Sequence, residues 1–407
     1  MGLVAFMAVP QSEETPANSP TPILDSGVLP PLVRRKRAGG SIKGIIVLIS
    51  GIVLMLPVIA FVDKSRNPRL GFILLVSALA LTIPIHELGH LFAGWMEGFR
   101  FSVIHIGPFS LSLEHGRLRA RVSREMLADG AVGMHIKTVR RLHRRLLIKV
   151  AGGPAANLLS IPATVLLINR VFSGLGETSQ GTLAAQFAVF SLLAAIVNLV
   201  PTRSVLLSDG ARIEMLLRSR DRSRRWISIY ALANLYDKGI RPRDWKRTWL
   251  ESATSVHDTS LDAFTGYWLA YASANDRKDA PVAAGYLERC LELSYVLPLF
   301  ARDVVAQEAA FFVAWFRDDA TLADQWLTQL KKPRLMQRSV QLRLDVALRC
   351  AHRDYDAAER SWREGFTLIE SSTSGTARQR LKEASLEWRE EILESEAQQV
   401  AVSSGVN

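Results

Sequence analysis

Long apolar runs alternate with polar connections in the first half of the chain, and the second half shows amphipathic periodicity instead. Four apolar stretches stand out, at 45–62, 70–94, 146–172 and 183–201. Each is about as long as a helix needs to cross the hydrocarbon core of a bilayer. Four buried core helices of a large soluble protein would give similar runs. Two adjacent runs of spanning length, bounded by charged residues, favour membrane spans. Between the second and third runs, residues 100–122 switch to a period of two. Segments 101–106, 109–113 and 117–122, with His115-Gly116 as a turn, predict a small sheet or hairpin.

Residues 211–232 have a helical pattern, and 248–395 form a series of amphipathic helices. Three segments there share a loose pattern, with Ala283, Ala323 and Ala358 recurring at intervals of 40 and 35 residues. Tetratricopeptide-type hairpins and a plain helical bundle fit this equally. The expected domains are a disordered, Pro/Ser/Thr-rich tail (1–43), a membrane-embedded core (44–210) and a basic juxtamembrane helical segment (211–247). A helical, repeat-like soluble domain (248–395) and a flexible end (396–407) follow. The opening ten residues are apolar but lack a charged leader, so a cleaved signal peptide is not expected. The fold class is therefore an all-α polytopic membrane protein with about four transmembrane helices and a small β-hairpin insert. It carries a C-terminal cytoplasmic α-helical domain of tetratricopeptide-like character.

Composition refines this picture. The 407 residues are 48% hydrophobic and 22% charged, with a net charge of +11 and a mean hydropathy of +0.12. So much apolar material excludes wholesale disorder, and two cysteines exclude a disulfide-built scaffold. A basic balance invites a nucleic-acid reading. However, the charge splits into +10 over residues 1–210, +7 over 211–247 and −6 over 248–407. Lys and Arg cluster before the first run, in 98–145 and after the fourth run. By the positive-inside rule, both termini and the 98–145 segment are cytoplasmic. Topology accounts for the basic residues, and no nucleic-acid partner is expected.

The chemistry lies in His86-Glu87-Leu88-Gly89-His90, near the end of the second run. Positions four apart share one helix face, so both imidazoles can hold one metal ion. Glu87 can reach the water such a metal activates, as general base. Chance produces this pattern in roughly 1% of chains with so few histidines. Three ionisable residues within a turn of an apolar span are costly unless paired or metal-bound. His86 lies roughly 24 Å along its run, near the cytoplasmic edge. For a third ligand, Glu97 and Glu114 fit poorly by position. Asp209 is the better candidate, because the fourth run returns the chain to the same side.

His86-Glu87-x-x-His90, Gly153-Pro154-x-x-Asn157, and Asn198-x-x-Pro201 followed by Asp209-Gly210 together resemble the site-2 protease family of intramembrane zinc metalloproteases. The resemblance covers about residues 44–215. It implies that His86, His90 and Asp209 ligate Zn2+ and that Glu87 is the catalytic base. It also implies that Asn198 and Asn157 are substrate-binding residues, with Asn157 and Pro154 shaping the core. The chain departs from the family pattern in the seven residues, 202–208, between Pro201 and Asp209. The expected activity is zinc-dependent hydrolysis of transmembrane protein substrates in the bilayer, with the helical domain free to bind a cytoplasmic protein. The hairpin 100–122 is a candidate edge for pairing with the substrate.

Two other readings compete. One is a non-proteolytic membrane adaptor with a vestigial zinc site and a partner-binding helical domain. The other is a membrane-anchored zinc protease that cuts cytoplasmic loops and uses a ligand other than Asp209. His105, His115, His135 and His143 read as surface residues, and His257 and His352 lack ligand spacing. Cys290 and Cys350 read as small core residues. Eight of the nine tryptophans follow residue 225 and read as core packing.

Overall fold

The computed structural model describes residues 22–30, 68–114, 117–122, 130–171, 177–201, 207–297, 299–330, 338–372 and 375–403. It is mostly helical with one four-stranded antiparallel sheet. The chain divides into two units. The described residues from 68 to 223 form the front unit, and residues 22–30 with 224–403 form the rear unit.

In the front unit, α2 (Pro68–Met96), α3 (Leu142–Val171) and α4 (Glu177–Leu199) correspond to the second, third and fourth apolar runs, α1 being a short N-terminal helix described below. The first run, 45–62, lies outside the described residues. By length and composition, Val76–Met96 and Leu142–Ala163 are long enough to cross a membrane, and Leu183–Leu199 is a shorter apolar helix. These helices leave large apolar side chains uncovered. Trp95 is 67% exposed, and Leu159 and Leu166 are each 72% exposed.

Where α2 and α3 cross, both helices present small residues. A Cβ on Gly89 would lie 2.4 Å from the Gly152 carbonyl oxygen, and one on Gly152 would lie 2.5 Å from that of Gly89. Ala93 and Ala156, four residues further along each helix, complete the contact. Small residues at this spacing let two helix backbones approach closely.

The sheet consists of β1 (Phe99–Ile106), β2 (Phe109–Glu114), β3 (Arg117–Val122) and β4 (Gly130–Ile136), in the order β3-β2-β1-β4. The three expected strands are present, and Glu114 pairs with Arg117 around the expected turn, whose own residues lie outside the described ones. The fourth strand turns the expected hairpin into a sheet. β4 pairs with β1 from Phe99↔Ile136 to Ile106↔Gly130. Arg145, only 8% exposed, ties these parts together. It donates to the carbonyls of Glu97 (2.7 Å) and Thr138 (2.6 Å) and covers the Phe99 ring.

A short helix, α5 (Asp209–Arg218), follows α4. Ser208 caps it by accepting from Ala211 N–H (3.2 Å) and donates to the Val200 carbonyl (2.7 Å). Gly210 packs so tightly that a Cβ there would meet the Leu199 carbonyl oxygen at 1.9 Å. Only glycine lets the start of α5 lie against the end of α4. α6 (Arg220–Asp237) follows a break at Ser219, so the helical pattern at 211–232 is two helices. The boundary between units falls within the expected juxtamembrane segment 211–247. Two of that segment's arginines, Arg225 and Arg241, are buried in ion pairs with Asp258 and with Asp276 and Glu387. Both are held by carboxylates of the rear unit.

The rear unit continues through α7 (Arg247–Thr254) into three helical hairpins. These are α8 (Leu261–Asp276) with α9 (Ala280–Glu292), α10 (Leu299–Phe316) with α11 (Ala320–Thr328), and α12 (Arg338–Ala351) with α13 (Tyr355–Ser372). Each hairpin turns on a left-handed residue, Lys278, Asp318 or Arg353, followed by an aspartate. Asp279, Asp319 and Asp354 accept from the N–H three residues on, at 3.3, 2.9 and 3.2 Å. The recurring alanines sit four residues after these aspartates and are all 0% exposed.

α14 (Gly375–Ser403) ends the described chain. Residues 396–403 are therefore helical, where a flexible end was expected. The N-terminal tail differs too. Residues 22–30 are folded into the rear unit, where α1 (Ile23–Ser26) buries Leu24 among α9–α11 residues including Leu287 and Trp326. A four-residue turn is too short to show periodicity, and the contacts that hold it are hundreds of residues away in sequence. The rest of the expected 1–43 tail lies outside the described residues.

Candidate metal centre

Three helices meet at one point in the front unit. His86 and His90 stand one turn apart on α2, and Asp209 is the first residue of α5. Asp209 Oδ2 lies 3.0 Å from His86 Nε2 and 3.3 Å from His90 Nε2, and the two imidazole nitrogens are 3.2 Å apart. Among the described residues this is the cluster of side chains able to hold a metal ion. Three donors bonded to one tetrahedral zinc at about 2.0 Å would stand about 3.3 Å from each other. The observed triangle fits that size, and an N,N,O donor set suits zinc.

α3 supplies the surroundings. Gly153 packs flat against the imidazoles, since a Cβ there would meet His90 Nε2 at 2.4 Å and His86 Cε1 at 2.8 Å. His90 Nδ1 lies 2.9 Å from the Lys149 carbonyl oxygen and 3.2 Å from Gly153 N. Gly153 N–H is directed at the same nitrogen; with a proton on Nδ1 donated to the Lys149 carbonyl, the Nε2 lone pair is available to a metal. Pro154 follows directly and removes one helical donor from this turn. In α2, Pro84 does the same one turn ahead of the histidines. Thus the Gly-Gly-Pro-Ala-Ala-Asn run places two glycines, one alanine and one amide on the face that meets α2.

Asn157 is 0% exposed, with Nδ2 3.2 Å from His86 Nδ1. Its Oδ1 is buried without a hydrogen-bond partner. Turning the amide over would bring Oδ1 to His86 Nδ1–H, the arrangement needed when Nε2 holds a metal. The orphaned oxygen thus fits a metal-loaded state. Asn157 was expected to bind substrate. It is fully buried, with its amide against the His86 imidazole. Asn198 donates to the Ala194 carbonyl in its own helix (2.9 Å), so its amide hydrogen bond is made within α4 and not with the donor triangle.

Glu87 is 6% exposed and is not one of the three converging donors. Its carboxylate packs on the first residue of β4, where a Cβ on Gly130 would come within 2.3 Å of Oε1. Asp209 has its carboxyl held well below the usual carboxylate range. Burial opposes ionisation there, but hydrogen bonds from His86 and His90 outweigh it.

Two contributors escape a reading of the sequence. Lys149 lies within electrostatic reach of Glu87, Asp209 and Arg212, and its ammonium donates to the Val132 carbonyl on β4 (3.3 Å). The available signal was one charge inside an apolar run. Gly130 gives no sequence signal for its contact with Glu87, because strand β4 comes there from outside the motif. Of the histidines expected to lie on the surface, His143 is exposed, with its ring bonded to the Leu216 carbonyl (2.7 Å). Cys290 and Cys350 are both free and buried. Comparison of the chain with protein-family models, curated proteins and solved structures returns no match.

Proposed function

We propose that this chain is an intramembrane zinc endopeptidase that hydrolyses peptide bonds of transmembrane protein substrates. The observation that carries this reading is the convergence of His86 and His90 from α2 with Asp209 from α5, with the Glu87 carboxylate close by but outside the donor set. The three would hold Zn2+, which would supply Lewis acidity to a water molecule and to the scissile carbonyl. Glu87 accepts the proton of the attacking water and passes one to the departing amine. Asn157 and the Lys149 carbonyl hold the imidazole planes, and the Lys149 ammonium counters the carboxylate charge around them.

A helical substrate hides its carbonyls in its own hydrogen bonds, so it must unwind before cleavage. β4 is an edge strand of the sheet, and its first residue touches Glu87. We assign the pairing of the unwound segment to this edge, in place of the hairpin 100–122.

A multi-pass topology is part of the proposal, and two features support it. The exposed apolar side chains of α2, α3 and α4 match lipid-facing surfaces better than the buried helices of a soluble core. Residues 22–30 fold into the rear unit, so they lie on the same side of the bilayer as that unit. Crossings by α2, α3 and α4 alone would be an odd number. The apolar run 45–62 supplies the fourth, which keeps both ends on the side where Lys and Arg are concentrated.

The test is Glu87→Gln. Cleavage of a co-expressed single-span substrate is expected to fall at least ~100-fold, with protein level and zinc content unchanged. Cleavage retained in this variant would remove the mechanism.

A further inference from the structure

The rear unit holds residues 22–30 as a receptor holds a peptide. Pro22 occupies the N-cap of α1 and makes no side-chain cap. Glu288 on α9 supplies the cap instead, accepting from the N–H groups of Ile23 (2.5 Å) and Leu24 (2.9 Å). The Trp326 indole N–H donates to the Leu24 carbonyl (3.1 Å), Arg302 donates to the Pro30 carbonyl, and Arg317 pairs with Asp25. The Leu24 side chain is 1% exposed. Gly27 has φ +65°, and a Cβ there would meet Gln325 Oε1 at 2.9 Å and Leu322 Cδ1 at 3.2 Å.

A single helical turn has no stability of its own in water. What holds this one is a groove between α9, α10 and α11, whose side chains read three of its backbone groups and the Pro30 carbonyl beyond it. Side-chain recognition falls on Leu24, Asp25 and Gly27. The segment is thus held through its backbone and one buried leucine, contacts that a short segment of another chain could equally supply.

We infer that the groove formed by Glu288, Arg302, Arg317 and Trp326 is a peptide-recognition site. It takes a turn of the pattern apolar–Leu–Asp–Ser–Gly, and residues 22–30 fill it in cis. A partner protein carrying such a turn competes with the N-terminal segment for the groove. Joined to the rest of the chain through residues 31–67, the cis segment acts at a high effective concentration. A partner therefore gains access only when that segment is withdrawn or outcompeted. This inference is independent of the metal centre.

The test uses the full-length chain in detergent and a fluorescent peptide of residues 20–32. The double variant Leu24→Lys, Asp25→Lys withdraws the cis segment, and it should bind the peptide about 100-fold more tightly than the wild-type chain does. Adding Glu288→Gln to that variant should weaken binding about tenfold. Equal binding to the wild-type and double-variant chains would mean that the peptide binds elsewhere, overturning the proposal. If the double variant does not fold, hydrogen exchange in the wild-type chain decides. Excess unlabelled peptide should speed exchange over residues 22–30, and no change at about 1 mM peptide would show the segment to be a permanent part of the fold.

Discussion

In the front unit three side chains of metal-ligand type face one another, whereas in the rear unit several buried charges are paired with opposite ones. Arg225 meets Asp258 at 2.9 Å, and Arg241 meets Asp276 and Glu387. Glu308 accepts from both Arg343 (2.7 Å) and Tyr271 (3.0 Å). Each of these charges has its opposite alongside, as a folded interior requires. At the metal centre, two imidazole nitrogens and one carboxylate oxygen meet in one small space, and an amide oxygen beneath them has no partner. Donors gathered on one point mark a candidate ligand site, whereas charges paired one to one mark a structural contact. The packing differs in the same sense. The front helices meet backbone to backbone at Gly89 and Gly152, which brings imidazoles against Gly153. The rear helices meet through buried methyl groups and tryptophans, and their turns are fixed by aspartate caps.

If this contrast is right, substitutions in the two units will separate metal binding from stability. The largest effect is expected from Gly152→Leu. It forces side-chain atoms into the backbone of α2 and should cost more than about 3 kcal/mol. Zinc content and activity should be lost together, measured on protein purified in detergent. Asn157→Ala removes the group that orients His86, so zinc affinity should fall about 10- to 100-fold, as read by competition with a chelator, with little change in thermal stability. In the rear unit, Asp319→Ala should lower stability by about 1 kcal/mol through the lost cap and leave zinc affinity untouched. The smallest effect belongs to Gly285→Ala on α9, where an added Cβ meets nothing within 4 Å. It should stabilise the rear unit by about 0.5–1 kcal/mol, the opposite sign to Gly152→Leu. A loss of zinc in either rear variant would break the separation.

How far the sequence reveals the molecule depends on how local each feature is. His86 and His90 were legible because a helix fixes the geometry of residues four apart. The three hairpins of the rear unit left a trace in the spacing of Ala283, Ala323 and Ala358. Asp209 was legible only as a candidate, since the turn that joins α4 to α5 through Ser208 and Gly210 is a tertiary contact. The helical pattern around Asn157 does not say which way its amide points, so its role under His86 was hidden. β4 carries two glycines in seven residues, a weak strand signal, and its place beside Glu87 follows from pairing with β1. The docked segment 22–30 was the least legible part. Its proline and serine content suggests a tail, and every contact that orders it comes from the far end of the chain.

The most direct test of the account is the zinc content of the full-length chain purified in detergent, measured by mass spectrometry of the metal. One zinc per chain is expected in the wild type and in Glu87→Gln, and less than about 0.1 in the double variant His86→Ala, His90→Ala. A wild-type chain that takes up no zinc, or a double variant that keeps it, would contradict the assignment of His86, His90 and Asp209 as a metal centre.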